Sequence, residues 1–189
     1  MRFALAGSRS WQASLDWWRG RRRSDGRPGI LRTDHHEVDI GVPPGASPDE
    51  AFERVRERLL TYRQFPASIL RARVDAPDGR VRDGALVVQR AFFPFSPVAL
   101  EAGVVVTEVV DRADDSSREA SVAIATLDGH PEIGRERFTA RLDRLTGQIS
   151  FTVDAESRPG PLLVRLARPI ARWFQLRATR ALLSSQAGP

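Results

Sequence analysis

Between residues 68 and 156 apolar and polar positions alternate with a period of two, interrupted by Asp-Gly and Thr-Gly pairs. This pattern predicts strands at 68–75, 81–93, 103–111, 117–127, 135–144 and 148–156. The turns fall at Asp78-Gly79, Asp83-Gly84, Asp128-Gly129 and Thr146-Gly147. Gly84, close to the start of its strand, marks a bulge or a late start. Ahead of this block, residues 34–42 alternate imperfectly and stop at Pro43-Pro44-Gly45, a short strand and a turn. Ser47-Pro48-Asp49-Glu50 is a helix start with a capping box; Phe52, Val55, Leu59 and Tyr62 follow at helical spacing, and Pro66 ends the run. Residues 161–184 return to helical period, with Leu163, Leu166, Ala167, Ile170, Phe174 and Ala181 on one face and Arg165, Arg168 and Arg172 opposite; Pro169 kinks or splits this helix.

Consecutive strands joined by short turns form an antiparallel meander. Its apolar face needs a cover, and the two amphipathic helices are the candidates. The expected fold is therefore α+β of the helix-grip type (β-α-β6-α), a curved antiparallel sheet wrapped around a long C-terminal helix. A small ligand fits between helix and sheet in such an arrangement.

Residues 1–30 read differently. Trp11, Leu15 and Trp18 share one face of a short helical stretch; Arg19 to Arg23 follow, and Ser24 to Gly29 has linker composition. The expected organisation is a basic Trp- and Arg-rich extension over 1–30, dispensable for folding, and a single helix-grip domain over 31–187. Residues 1–30 carry seven Arg against Asp16 and Asp25, and residues 158–189 carry six Arg and no acid, so the stretch between them is acidic. A basic stripe on the folded body, usual for nucleic-acid binding, is not expected. Weak contact with an anionic membrane would run through residues 1–30.

Composition narrows the chemistry. The 189 residues contain no Cys, three His and no Lys, so all 29 basic side chains are Arg. Thiol catalysis, Cys-ligated metals, Schiff-base lysines and the P-loop lysine are excluded. No run of about 18 apolar residues and no secretory leader is present, which leads us to expect a cytoplasmic protein. His35 and His36 are adjacent on a strand and point to opposite faces, so no metal site and no cofactor is expected.

The stretch Ala125-Thr126-Leu127-Asp128-Gly129-His130-Pro131-Glu132-Ile133-Gly134-Arg135-Glu136-Arg137-Phe138 resembles the T-L-x-G-H-x-E-x-G-x-E-x-F signature of the family called domain of unknown function 1990. Gly41 through Ala51-Phe52 to Leu60-Thr61-Tyr62-Arg63, and Ser157-Arg158-Pro159 through Pro161-Leu162-Leu163 to Arg168-Pro169, are similar to its flanking segments. Ala125 stands where the family usually has Gly. The resemblance covers about residues 34–184 and implies no reaction. Its fold is similar to the START and pollen-allergen helix-grip group, which implies lipid-like ligands or ring-closing and dehydrating chemistry only by analogy.

Candidate chemistry concentrates on one hairpin. Glu136 shares a strand face with Phe138, Ala140 and Leu142, so its carboxyl points at the core or a cavity, where it pairs with an Arg or serves as an acid or base. His130 and Glu132 lie in the preceding turn, either holding its shape or facing the cavity mouth, with His130 as acid/base. Arg177, inside the apolar arc of the last helix, would neutralise Glu136 or hold an anionic ligand group. Phe138, Leu142, Phe151, Ile170 and Phe174 would line the pocket. The leading expectation is a binding domain for a small apolar or amphipathic molecule, with Glu132, Glu136, His130 and Arg177 as its polar groups. The alternatives are an enzyme using His130 and Glu136 in cyclisation, isomerisation or dehydration, and a peripheral membrane or interaction protein. Oligomeric state is not encoded legibly.

Overall fold

The computed structural model describes residues 2–5, 10–92 and 97–160. Eight strands and two helices occur among them: β1 (Arg2–Leu5), α1 (Gln12–Trp18), β2 (Arg32–Ile40), α2 (Pro48–Leu60), β3 (Leu70–Val74), β4 (Leu86–Phe92), β5 (Val98–Ala113), β6 (Ser117–Thr126), β7 (Glu132–Asp143) and β8 (Ile149–Pro159). The strands form one antiparallel sheet in the order β2-β8-β7-β6-β5-β4-β3. β2 thus joins β8, the last strand of the meander, as a curved helix-grip sheet requires. The expected helix over 161–184, with Ile170, Phe174 and Arg177, lies outside the described residues.

Several boundaries differ from the sequence pattern for local reasons. The strand expected at 81–93 begins only at Leu86, because Asp83-Gly84 forms a turn with Gly84 at φ +79°. β5 runs 16 residues rather than nine, with a register shift against β6 between Val106 and Glu108 that lets so long a strand bend.

Alternation assigns the two faces. Val87 and Val88 are neighbours on β4, yet Val87 belongs to the main core with Phe52, Val55 and Leu59 of α2, while Val88 packs with Leu15 and Trp18 of α1. α2 therefore covers the inner face of the sheet and α1 the outer face. The Ser47 capping box forms as expected, with Glu50 N–H donating to Ser47 Oγ at 3.2 Å and Ser47 N–H donating to Glu50 Oε2 at 2.8 Å. Arg118 stacks over Phe52 at 4.8 Å and pairs with Asp49 and Glu53, and Arg56 pairs with Asp111, which ties α2 to β5 and β6.

The boundary expected at residue 30 is corrected by the structure. β1 pairs with the start of β5, alongside the end of β6, with Arg2 opposite Glu101. Trp18 is fully buried. Its ring lies flat on β5 at Gly103, where a Cβ would collide with it. Glu101, also fully buried, accepts hydrogen bonds from Ser14 Oγ (2.6 Å), Trp18 Nε1 (3.3 Å) and Arg90 Nε (3.2 Å), and Arg90 stacks on Trp11 at 4.0 Å. Residues 10–28 are part of the domain because the outer sheet face carries a buried ion pair and apolar side chains that need α1 as a cover.

The same packing changes the reading of the N-terminal charge. Arg2 pairs with Glu101, Arg19 with Asp16 and Asp75, Arg23 with Asp25, and Arg27 with Asp128. Of the tryptophans expected to meet a membrane, Trp18 is buried and Trp11 is partly buried. Trp17 remains 48% exposed, between Arg2 and Arg21. No described helix is long and apolar enough to cross a membrane.

Candidate functional site

The inner face divides along its length. Beneath α2, the side chains of Val122, Phe138, Ala140, Leu142, Ile149, Phe151 and Val153 form a closed core. Leu142 and Phe151, expected to line a pocket, are 1% and 0% exposed and belong to this packing. α2 packs against this part of the face. Phe138 is equally buried and forms the floor on which the next part of the face stands.

One step further along β7, polar groups begin. Register places Asp34, Ala155, Glu136 and Ile124 side by side across β2, β8, β7 and β6. The next row holds His36, Val153, Phe138 and Val122, and Glu132 lies beyond, at the start of β7. Side chains of Glu132 and Glu136 are half-buried, and neither carboxyl has a hydrogen-bond or ion-pair partner among the described residues. Burial pushes both up to about 7, with the Asp34 charge adding to the effect on Glu132 and the Glu132 charge to that on Glu136.

Tyr62 closes the site on the α2 side. Its phenol accepts a hydrogen bond from Gln89 Nε2 at 2.6 Å, and its ring meets Phe138 edge-on at 6.4 Å. Phe65, half-buried, meets Phe138 edge-on at 5.7 Å. Burial together with the Glu136 charge raises the phenol pKa. Tyr62 follows the end of α2 with φ +56°, the only non-glycine residue in the left-handed region among those described. Helices commonly end on glycine in this conformation. A tyrosine there carries backbone strain, and the strain aims its ring into the inner face.

His130 sits in the turn with its ring against the Glu132 backbone. Its Nδ1 lies 3.0 Å from both the backbone N and the carbonyl O of Glu132, and burial pushes the ring down to about 4. At neutral pH it is uncharged, and its contact with the Glu132 backbone helps to hold the turn in shape. The turn is also held from outside. Asp128 N–H donates to Arg22 O (2.8 Å), Ser24 N–H to Thr126 O (2.8 Å), and Gly134 N–H to Thr126 Oγ1 (3.0 Å). Gly134 sits so close to the Glu156 carbonyl that any side chain would collide with it. His35 faces outward onto Asp154 at 2.6 Å, and His36 is half-buried on the inner face, the divergence expected of strand neighbours. Among the described residues no cluster of His, Cys, Asp or Glu suits a metal ion.

Glu132 and Glu136 were among the candidates expected from the sequence, whereas Tyr62, Gln89 and Asp34 were not.

The raised carboxyls have a measurable consequence. In the unfolded chain Glu136 ionises near 4.5, whereas in the fold it holds its proton to about 7. Its contribution to stability is therefore complete below pH 4.5 and is lost as pH rises towards 7. Glu136→Gln is expected to stabilise the protein at pH 8 by about 1–3 kcal/mol relative to its effect at pH 4.5. His130 contributes with the opposite sign, gaining stability from about 4 to 6.5, but it is present in both proteins and cancels in the difference. Thermal melts of both proteins at the two pH values check this; equal differences would mean that the carboxyl is solvated.

Comparison with known proteins completes the description. The profile of a family described as Domain of unknown function (DUF1990) matches residues 19–185. The match begins within the N-terminal segment, not after it. Curated proteins gave no sequence match. Among solved structures, the hypothetical protein jhp0584 from Helicobacter pylori superposes with a TM-score of 0.52 at 11% identity, covering 84% of this chain and 87% of that one. Ara h 8.0201 gives 0.47 at 12% identity, covering 84% and 96%. Truncated norcoclaurine synthase from Thalictrum flavum gives 0.44 at 15% identity, covering 84% and 95%. At such identities the likeness concerns the fold.

Proposed function

Since the chain belongs to the family Domain of unknown function (DUF1990), whose name carries no reaction, we propose from its own residues that it binds a small amphipathic molecule on the inner sheet face between Phe65, Tyr62, Glu132 and Glu136. The observation that carries this reading is the pair of half-buried carboxyls, unpartnered among the described residues, with Glu136 next to Phe138 on the face where Tyr62 and Phe65 pack. A carboxyl kept from water is costly unless something meets it. A ligand with an apolar body and a polar end satisfies both surfaces. Ile170, Phe174 and Arg177 are proposed to contribute from the C-terminal segment. A cytoplasmic location fits such a protein.

A second reading rests on Glu136 itself. A carboxyl with pKa about 7 beside a phenol can give and take a proton near neutral pH, as general acid/base catalysis of an isomerisation or dehydration requires. His130 would position Glu132 in that reaction instead of moving the proton.

Native mass spectrometry of freshly purified protein tests the binding reading. The expected spectrum shows a non-covalent small-molecule adduct that disappears on denaturation and is depleted in Glu136→Gln. Adducts of equal occupancy in the variant would place the ligand elsewhere.

A further inference from the structure

The hydrogen-bonding inventory around Tyr62 goes further, resting on the inner-face reading above. Tyr62 is 2% exposed. Its oxygen accepts from Gln89, so the phenolic hydrogen points away from that amide. Among the described residues that hydrogen meets no acceptor. Glu136 is the nearby candidate, on the same face and close enough for its charge to act on the phenol, yet the two share no hydrogen bond. A buried donor beside Phe138 and a half-buried acceptor two residues from Phe138 on the same face of β7 are thus neighbours that share no hydrogen bond.

We propose that Tyr62 and Glu136 form a clamp for a single hydroxyl group at the polar end of an otherwise apolar ligand. Tyr62 O–H donates to the ligand oxygen, and the ligand O–H donates to the Glu136 carboxylate. Other polar ends satisfy only half of the clamp. An ammonium group pairs with Glu136 but offers no lone pair to the Tyr62 hydrogen. A ligand carboxylate accepts from Tyr62 but is repelled by Glu132 and Glu136. A hydroxyl both donates and accepts, so it also suits Glu136 in its protonated form. Gln89 fixes the direction of the phenol, and the strained backbone at Tyr62 fixes its position.

The test uses a matched pair of probes, 2-naphthol and 2-methylnaphthalene, binding to the full chain at pH 7 and followed by probe fluorescence. Wild type is expected to bind the naphthol about tenfold more tightly, the effect of one to two net hydrogen bonds. Tyr62→Phe removes one oxygen and is expected to lose most of that preference while its affinity for 2-methylnaphthalene stays the same. Equal binding of both probes to wild type would overturn the clamp and leave the apolar site standing. Failure of both probes to bind would overturn the site itself. A preference retained in Tyr62→Phe would assign the hydroxyl to other groups and also overturn the clamp. A melting curve for Tyr62→Phe confirms that the comparison is between folded proteins.

Discussion

Trp18→Ala is expected to lower stability by about 3–5 kcal/mol, the range for emptying a large buried aromatic site. Deletion of residues 1–30 is expected to do more and abolish a cooperative melt. Trp18 is fully buried between α1 and β5, and its ring occupies the space that Gly103 leaves by lacking a side chain. Among the described residues, Leu15 and the partly buried Trp11 join it in packing against Val88 and Leu127. Gly103→Ala should reproduce part of the loss, because the added methyl forces the ring off the sheet. Chemical denaturation of the three variants measures this. A shortened chain starting at Leu31 with an unchanged melt would restore the view that the N-terminal segment is an appendage.

The second large effect concerns the charge beneath that helix. Glu101 is fully buried and Arg90 is 3% exposed; they sit opposite each other across β5 and β4. Glu101→Ala leaves the Arg90 guanidinium buried without its carboxylate, and removing one partner of a buried pair costs about 3–5 kcal/mol. Replacing both with apolar residues of similar volume, Glu101→Leu with Arg90→Met, removes both charges together and should cost clearly less than the single change. Ser14 Oγ and Trp18 Nε1 also lose their acceptor, so some cost remains. A double variant less stable than the sum of the singles would show that the pair does not act as a unit.

The sheet was readable in the sequence because turn residues separate its strands and β3, β8 and the second half of β7 bury alternate side chains, whereas β4, β5 and β6 are buried on both faces over much of their length. The outer helix was not readable as part of the domain. A stripe such as Trp11, Leu15 and Trp18 has the same period whether it faces membrane, solvent or its own sheet. Deciding between them needs Gly103 and Glu101, more than 80 residues away in the chain. Within the site, Glu136 was visible as a charge on an otherwise apolar strand face. Its neighbour Tyr62 was hidden because its spacing from Leu59 fits a helix, whereas the chain leaves the helix at Leu60 and turns the ring inward. His130 illustrates the reverse case. Its place in a Gly-Pro turn is compatible with catalysis or with holding the turn, and only the structure brings Nδ1 to 3.0 Å from the Glu132 backbone.

The central claim is that the working surface is the inner face around Tyr62 and Glu136, with the outer face serving as structure. The most direct measurement is a titration of the isotopically labelled full chain with 2-naphthol, followed by amide chemical shifts. The account predicts shifts concentrated at Tyr62, Gln89, Glu132, Glu136 and Phe138, with Val88, Glu101 and Gly103 unmoved. Shifts centred on the outer-face residues, or a saturating probe that moves none of the inner-face amides, would contradict it.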